Sequence, residues 1–249
     1  MKTLSSRLGG KAILIMMTTL IGSTTMLAQD ETSLRFGLKL SPNISMLRSE
    51  TKGLSSAGNS FGYTFGLMTE FPIGGTGNYR FATGLNLNNI GGKWKTDFSY
   101  FNEPGQTTPL TRELETRLKL QYVELPLTVK LMTNEIGYMR YFAQVGFGAA
   151  FNIRAKADIV SPVYFDNAPT LVRQFEELDN EDFSSEINLF KASLIVGAGM
   201  EYNFSGNTSL LVGITYNNGF SNIANFDVSA DKKAKVLANY LELSLGVFF

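Results

Sequence analysis

The sequence predicts an all-β fold: an eight-stranded antiparallel transmembrane β-barrel with short periplasmic turns and long extracellular loops. Three observations predict it. Eight segments alternate between apolar and non-apolar residues, and each is long enough to cross a membrane as a tilted strand of about 9–11 residues. The connections between these segments alternate strictly between short and long. The non-apolar face of the segments is rich in glycine and small residues, which suits a narrow barrel interior.

The N-terminal residues 1–28 have the pattern of a secretory signal peptide. Three basic residues come first, namely Lys2, Arg7 and Lys11. The apolar run over residues 12–21 follows them and is too short to span a bilayer as a helix. A buried N-terminal helix is the alternative. Cleavage after Ala28 would leave residues 29–249 as a single barrel domain, exported by the Sec route to the outer membrane.

The alternating segments carry the membrane prediction. They lie at residues 34–40, 61–71, 79–88, 123–131, 141–153, 194–204, 210–216 and 241–249. A soluble β-sandwich also alternates, but the outer face of its strands is ordinarily rich in Lys, Glu and Thr. Aromatic residues stand mostly near one end of the segments, as an interfacial girdle requires: Phe71, Tyr79, Phe81, Tyr138, Tyr141, Tyr202, Phe204 and Phe249.

The lengths of the connections give the predicted orientation. The short turns are residues 72–78, 132–137 and 205–207, and the long loops are residues 43–59, 90–117, 154–188 and 218–237. Outer-membrane barrels place short turns in the periplasm and long loops outside. The fourth segment is less regular, because its apolar residues change from even to odd positions between Leu120 and Val123. This change predicts a β-bulge there. Pro126 must lie where the ladder needs no N–H donor.

The composition excludes several functions. Lys and Arg number 22 and Asp and Glu number 22, so the formal net charge is zero, which argues against binding nucleic acid. The sequence contains no cysteine and no histidine, which excludes disulfides, thiolate or imidazole metal sites and a histidine base. The outer-membrane barrel proteases, acyltransferases and phospholipases all use a histidine. We therefore expect a protein that is not an enzyme and that has no cofactor and no evident small-molecule substrate.

Seven charged residues fall on the inward face of the segments: Arg35, Glu70, Arg80, Glu124, Lys130, Arg140 and Glu201. Nearly all lie towards the periplasmic ends, with Glu124 nearer the middle. One interpretation is a charged gate or ion path. The other is a paired network that fills a closed lumen, and we favour it because an unpaired buried charge is very costly. This second interpretation predicts that the barrel conducts no ions.

The third outer loop, residues 154–188, is acidic. Its carboxylates are Asp158, Asp166, Glu176, Glu177, Asp179, Glu181, Asp182 and Glu186. A calcium site is one interpretation, but the spacing matches no calcium loop and a glycine for the sharp turn is missing, so a solvated face explains the charges better. Nothing places two carboxylates across a cleft as in a glycosidase. A third interpretation is a docking surface for a partner protein, anchored by the apolar residues Tyr164, Phe165, Leu171 and Val172, beside Val163.

The second outer loop holds the single tryptophan, Trp94, with Phe98, Tyr100 and Phe101. These aromatics would suit a platform for a ligand or glycan. They would equally suit a third strand that continues beyond the membrane and pairs with the fourth around Leu118. We favour the longer strand because residues 91–95 keep a loose alternation.

Four stretches of the sequence resemble the PorT-like outer-membrane β-barrel family of Bacteroidetes. They are residues 36–45 (FGLKLSPNIS), 66–72 (GLMTEFP), 122–130 (YVELPLTVK) and 197–202 (GAGMEY). The third is the most specific, with Tyr122, Glu124, Pro126, Leu127 and Lys130 in the motif. The resemblance covers nearly all of the chain after the signal peptide. It implies a barrel, and, for the namesake branch of the family, a requirement in the type IX protein secretion system. Residues 146–156 are closer to that branch than to generic members.

Three functional classes stay open at this point. The first is a barrel that serves the type IX secretion system, with other secretion or envelope proteins and outer-membrane lipid as its partners. The second is a small structural or adhesive outer-membrane barrel without a secretion role. The third, an outer-membrane enzyme, is disfavoured by the absence of histidine.

Overall fold

The computed structural model describes residues 34–51, 54–75, 77–206, 208–229 and 232–249. The predicted signal peptide lies outside the described residues and stays a prediction. The strands are β1 Arg35–Ser49, β2 Leu54–Pro72, β3 Tyr79–Tyr100, β4 Leu110–Met132, β5 Met139–Phe165, β6 Ala168–Asp182, β7 Phe190–Ser205, β8 Thr208–Gly219, β9 Asp227–Ser229, β10 Lys232–Lys233 and β11 Val236–Phe248. A short 3₁₀ helix spans Ser184–Glu186.

Eight of these strands close into an antiparallel barrel. Their order around the ring is β1, β2, β3, β4, β5, β7, β8 and β11, and β11 pairs with β1 to complete it. Each ring strand contains all, or all but one residue, of one of the eight alternating segments, so the predicted all-β barrel is confirmed. The turns after β2, β4 and β7 are short and lie at one end of the barrel, which is the periplasmic end in proteins of this architecture. Among the described residues, no helix is a candidate for a membrane span.

The outward face of the ring strands is apolar and exposed, as a surface in contact with lipid must be. Phe61, Phe147 and Ile214 are 84 %, 59 % and 59 % exposed, and apolar residues occupy the same outward phase on every strand of the ring. Burying side chains of this size in an apolar phase is strongly favourable, at about 1.5–3 kcal/mol each. The membrane therefore supplies the packing partner that a soluble sheet would have to find in a second layer.

Most residues of the predicted outer loops lie in β-strands. In residues 90–117, β3 pairs with β4 almost to the tip of their hairpin. In residues 43–59, β1 pairs with β2 only as far as Met46 and Asn59, and the remaining strand residues of this connection pair with β11 and β3. Residues 154–188 continue β5 and then form β6, which pairs with the outer part of β5. The predicted loop bounds are too wide because the inward face of the outer segments becomes apolar. The contrast between the two faces disappears, although the backbone stays extended. The longer third strand is confirmed, since Gly92 pairs with Leu118.

The predicted bulge lies at the right level but on the neighbouring strand. Gln121 pairs with Arg154 and Tyr122 with Asn152, so Ile153 of β5 is the extra residue. The alternation of β4 itself is unbroken, since its even-numbered residues face inward from 118 to 132. The apparent slip arises because these inward residues change from leucine to polar ones. The expectation for Pro126 is confirmed: pairing of β3 with β4 is interrupted opposite Leu125 and Pro126.

Candidate functional site

The periplasmic end of the lumen holds a five-residue charge network. It contains Arg35, Glu70, Arg80, Lys130 and Glu201, which come from five different strands of the ring. All but Arg35 are almost completely buried. The structure therefore brings together five of the seven charged residues that the inward phase of the sequence predicted.

The two carboxylates of the network are each held by more than one cation. Lys130 Nζ lies 2.6 Å from Glu70 Oε1 and is also paired with Glu201. Arg35 Nη1 lies 2.7 Å from Glu201 Oε2 and 3.5 Å from Glu70 Oε2. Arg80 Nε is 4.0 Å from Glu70 Oε2. Such multiple, hydrogen-bonded pairing is what compensates for the desolvation of buried charges.

Aromatic rings cover the cations of this network. Lys130 Nζ lies 4.2 Å from the centroid of the Phe142 ring, and Arg35 Cζ lies 4.3 Å from that of Phe248. Both rings are buried with Met132 and Leu211 in an apolar cluster inside the lumen. Sequence reasoning missed these residues because it treated the inward face as uniformly polar. The phase of the alternation alone would have placed Phe142 and Phe248 inside.

Of the other two predicted lumen charges, Arg140 is the register partner of Glu201 at the edge of the network and Glu124 lies outside the network. Arg140 is only half-buried, and its Nη2 is 3.3 Å from Glu135 Oε2 in the turn between β4 and β5. Glu124 lies farther along the barrel axis, in a second polar cluster. It accepts hydrogen bonds from Asn217 Nδ2 at 3.1 Å and from the Tyr240 hydroxyl at 3.3 Å.

Three further buried or nearly buried charges were not predicted as site residues. Lys191 Nζ donates to Asn217 Oδ1 at 3.2 Å and lies 3.9 Å from Glu124 Oε2. Lys39 Nζ lies 2.6 Å from Glu242 Oε1, which also accepts a hydrogen bond from Ser244 at 2.8 Å. All three occupy the non-apolar phase of their strands, so the same alternation that identified the other lumen charges could have found them.

The extracellular half of the lumen is filled by apolar side chains. Trp94 is 5 % exposed, and its ring centroid lies 5.6 Å from that of Phe226 and 6.2 Å from that of Phe183. The other buried members come from the barrel wall and the third and fourth outer connections: Leu47, Leu54, Ile90, Leu118, Leu120, Tyr122, Ala150, Ala155, Ala157, Ile187, Ile223, Ala224, Ala234, Val236, Ala238 and Tyr240. We call this set the apolar plug. Trp94 is therefore a packing residue and is not placed to form a ligand platform.

A cavity of about 70 Å³ lies in the middle of the lumen, between the plug and the periplasmic network. Its wall includes Lys39, Glu124, Gln144, Thr215 and Glu242. One water needs about 10–15 Å³ measured in this way, so the space suits a few water molecules. The lumen is thus closed by packed side chains on both sides of a small polar cavity.

The four predicted docking residues differ in accessibility. Tyr164 and Phe165 are 42 % and 41 % exposed at the tip of the hairpin that β5 and β6 form. Leu171 is half-buried, and Val172 is only 3 % exposed because this part of β6 packs against the outer end of β3. Val172 N donates to Phe101 O at 2.7 Å. The inclusion of Val172 as a contact residue is therefore corrected: its side chain is used within the chain.

An aromatic cluster joins this hairpin to the one that β3 and β4 form. The ring of Tyr100 lies 5.1 Å from that of Phe175, and the guanidinium of Arg112 lies 4.3 Å above the same ring. Phe98 packs edge-on against Phe175 as well. The two hairpins thus form one packed unit beyond the barrel. Within the described residues, no three carboxylates converge as a metal site would require.

A closed antiparallel ring, an apolar outer surface and a packed polar lumen define an outer-membrane β-barrel protein. Residues 27–225 match the model of the outer membrane protein beta-barrel domain family, and the chain belongs to this family. It is embedded in the lipid of the outer membrane. No curated protein is detectably similar in sequence.

Several solved outer-membrane barrels are similar to the chain in structure. Neisserial surface protein A is 14 % identical, with a TM-score of 0.43, and the alignment covers 86 % of this chain and 95 % of that one. The outer membrane protease OmpT from Escherichia coli is 10 % identical, with a TM-score of 0.46 and coverage of 91 % and 99 %. OprG from Pseudomonas aeruginosa is 12 % identical, with a TM-score of 0.42 and coverage of 88 % and 97 %.

Proposed function

We propose that this protein is a non-enzymatic, non-conducting outer-membrane barrel that acts as a component or accessory of the type IX protein secretion system. The observation that carries the proposal is the filled lumen. A barrel whose interior is closed by side chains on both sides of a small cavity acts through its ends and its outer surface. The resemblance of residues 122–130 and 146–156 to the PorT-like family supplies the particular system.

The lumen is poorly suited to transport. An ion that entered from the periplasm would have to displace Lys130 or Arg35 from the carboxylates of Glu70 and Glu201. An ion that passed this network would meet the apolar plug, where no water can replace its hydration shell. The passage of an unfolded protein chain would require the removal of the whole plug. A secretion role for this barrel therefore depends on contacts with other proteins.

The lumen is equally poorly suited to catalysis. The chain has neither histidine nor cysteine, so carboxylates, lysines and tyrosines are the remaining candidates for acid, base or nucleophile. The buried carboxylates Glu70, Glu201 and Glu242 are each in contact with a lysine or arginine. These pairs neutralise charge inside the lumen, and the plug closes the lumen on the extracellular side.

The paired outer hairpins supply a surface on which a partner can dock. Tyr164 and Phe165 present two aromatic rings at the tip, and aromatic anchors of this kind carry much of the binding energy in protein interfaces. The aromatic cluster around Phe175 fixes the hairpin against its neighbour. A surface held rigid before binding loses little conformational entropy when the partner arrives.

The test is a clean deletion in the native bacterium, followed by mass spectrometry of secreted, surface and periplasmic proteins. We expect cargo with type IX sorting domains to accumulate in the periplasm and a plasmid copy to restore export. Normal export in the deletion strain would reject the secretion role and favour a structural or adhesive barrel.

Variants of the plasmid copy then test the docking surface. Y164A/F165A is expected to leave the barrel folded and to reduce export. Y138A/F204A is the matched control, because it removes two exposed aromatic residues, 67 % and 77 % exposed, at the periplasmic end. If only the control impairs export, the docking surface lies on the periplasmic side and the assignment to the outer hairpins is wrong.

A further inference from the structure

The outer surface of the barrel carries a basic groove where the apolar band ends. The groove has a volume of about 390 Å³, lies against β2 to β5, and is lined by Arg117, Lys119, Arg154, Lys156 and Tyr63, among others. Its lining also includes Ile90 and Leu120, which belong to the apolar plug. Arg154 and Lys156 lie within residues 146–156, whose resemblance supports the proposed secretion role, but the groove is distinct from the outer hairpin tips.

Strand register places the basic groove at one level around the barrel. Asn89, Gln121 and Arg154 are register partners across β3, β4 and β5. The next row towards the extracellular end contains Lys119 and Lys156, which are also paired in register. The lipid-facing residues one row closer to the periplasm are apolar, and Val123 on β4 is an example. The change from apolar to basic therefore occurs at the same height on neighbouring strands, at the edge of the membrane.

The bulge in β5 creates the basic part of this groove. Because Ile153 is an extra residue opposite β4, both Ile153 and Arg154 are exposed on the outer face, and Lys156 follows on the same face. The buried residues Ala155 and Ala157 then face the lumen. Without the extra residue, Arg154 and Lys156 would point into the apolar plug. Bulges that redirect side chains in this way are common next to functional sites.

The positive charge of the groove is only partly compensated. Lys119 Nζ forms an ion pair with Asp158 Oδ2 at 2.7 Å. Asp182 is the register partner of Lys156 at the upper rim. In the described part of the chain, no carboxylate forms a salt bridge with Arg117, Arg154 or Lys156. Asp158 is the register partner of Arg117. The three cations line the groove together with Gln121 and Asn89.

The position of the groove at the edge of the membrane indicates which kind of ligand it binds. A cationic groove that continues directly into a surface covered by acyl chains fits an anionic headgroup whose tails lie along that surface. Tyr63 and Phe61 are 53 % and 84 % exposed at the same edge, where aromatic rings commonly mark the membrane interface. We propose that the basic groove binds a phosphate group of a glycolipid in the outer leaflet of the outer membrane, with Arg117, Arg154 and Lys156 as its ligands.

The experiment uses the full chain, refolded in neutral detergent, and three probes. These are lipid A with its phosphates, lipid A of the same acyl composition from which the phosphates have been removed, and inorganic phosphate. Binding is measured by native mass spectrometry and by titration. We expect the phosphorylated lipid to bind at least tenfold more tightly than the dephosphorylated lipid, with an affinity that falls as salt rises. Inorganic phosphate is expected to compete only weakly, because it lacks the acyl chains.

Two triple variants complete the test. R117Q/R154Q/K156Q is expected to lose at least tenfold in affinity for the phosphorylated lipid while remaining folded, since all three side chains lie on the outer surface. R173Q/K233Q/K235Q removes the same charge from exposed positions at the outer end, outside the groove, and should bind within twofold of the native chain. Equal binding of the two lipids, equal loss in both variants, or equally tight binding of inorganic phosphate would each overturn the proposal.

Discussion

Lys130 Nζ lies 2.6 Å from Glu70 Oε1, although β3 separates the two strands that carry these residues. The same ammonium group also pairs with Glu201 on β7, which stands opposite β2 in the ring. Lys130 therefore connects opposite walls of the barrel through its interior. A cross-connection of this kind fixes the cross-section of the barrel as well as filling it.

Replacement of Lys130 by methionine should destabilise the barrel strongly. Removal of one partner of a buried ion pair typically costs about 3–5 kcal/mol, because the remaining charge is left without compensation. In K130M the carboxylates of Glu70 and Glu201 would share the remaining arginines. Urea-induced unfolding in lipid vesicles, followed by the fluorescence of Trp94, measures the change.

Two further variants check that the effect comes from buried charge. K95M removes a lysine whose ion pair with Glu113 is exposed, and it should leave the unfolding midpoint unchanged. The double variant E70Q/K130M should be less destabilised than the sum of its two single variants, because the glutamine removes the uncompensated carboxylate. An additive double variant would contradict direct coupling of the two residues.

The purified barrel should not conduct ions. The periplasmic network and the apolar plug close the lumen on both sides of its central cavity. In planar bilayers we expect no steady current steps above those of the lipid alone, under conditions in which a porin inserted as a reference gives clear steps. Steady steps of a defined size would show that the plug opens.

The barrel could be predicted from the sequence because lipid imposes one rule on every strand. Each outward side chain between Leu34 and Phe249 that meets the membrane must be apolar, so the period of two is visible without any knowledge of partners. The outer hairpins follow no such rule. Their inward face packs in the apolar plug and their outward face meets water. The apolar residues Leu118 and Leu120 therefore lie on the opposite face from the apolar residues of the membrane-spanning part of the same strand.

The lumen could be predicted only in part, for a different reason. The alternation gives the side on which a residue lies, and this identified Glu70, Lys130 and Glu201. It does not give the residues that come together across the barrel. The pairing of Lys39 with Glu242 depends on the closure of β1 against β11, which joins the first and last strands of the ring. The outward position of Arg154 depends on a single extra residue, Ile153.

The apolar plug can be tested through its tryptophan. Trp94 packs against Phe183 and Phe226, which come from the third and fourth outer connections. F183A/F226A should shift the emission of Trp94 to longer wavelength and increase its quenching by acrylamide, because water reaches the indole ring. F98A is the control, since Phe98 packs with Tyr100 and Phe175 outside the plug. An unchanged spectrum in F183A/F226A would show that these rings do not shield Trp94.

Close approach of two strands makes Gly146 irreplaceable. A Cβ atom at Gly146 would lie 2.1 Å from the carbonyl oxygen of Leu127 and 2.5 Å from the Cα atom of Thr128, both on the adjacent strand β4. Neither backbone atom can move without separating the two strands. G146A should therefore fail to form the heat-modifiable folded species on gel electrophoresis, whereas G75A, with no atom within 4 Å of its Cβ, should fold normally. Normal folding of G146A would contradict the close approach of these strands.

Acidification should loosen the outer hairpin of β5 and β6 at Asp158. The hydrogen bond from Lys119 lowers the pKa of the Asp158 carboxyl below its ordinary value of 3.8, against the opposing effect of burial, and the backbone N–H of Asn180 lowers it further. Asn180 N lies 3.0 Å from Asp158 Oδ1, and Asn180 has a φ of 57° at a bulge in β6, so this carboxylate holds a left-handed backbone conformation in place. A carboxyl whose pKa is lowered by folding stabilises the hairpin above its unfolded pKa and loses this effect as the pH falls through the folded pKa.

NMR titration of the Asp158 carboxyl should give a midpoint below 3.8, and this midpoint should rise in K119M. The protection of the Asn180 amide from hydrogen exchange, corrected for intrinsic rates, should fall over the same pH range. In D158N the protection should be lower and independent of pH in this range, and an unchanged protection profile would contradict the role of Asp158.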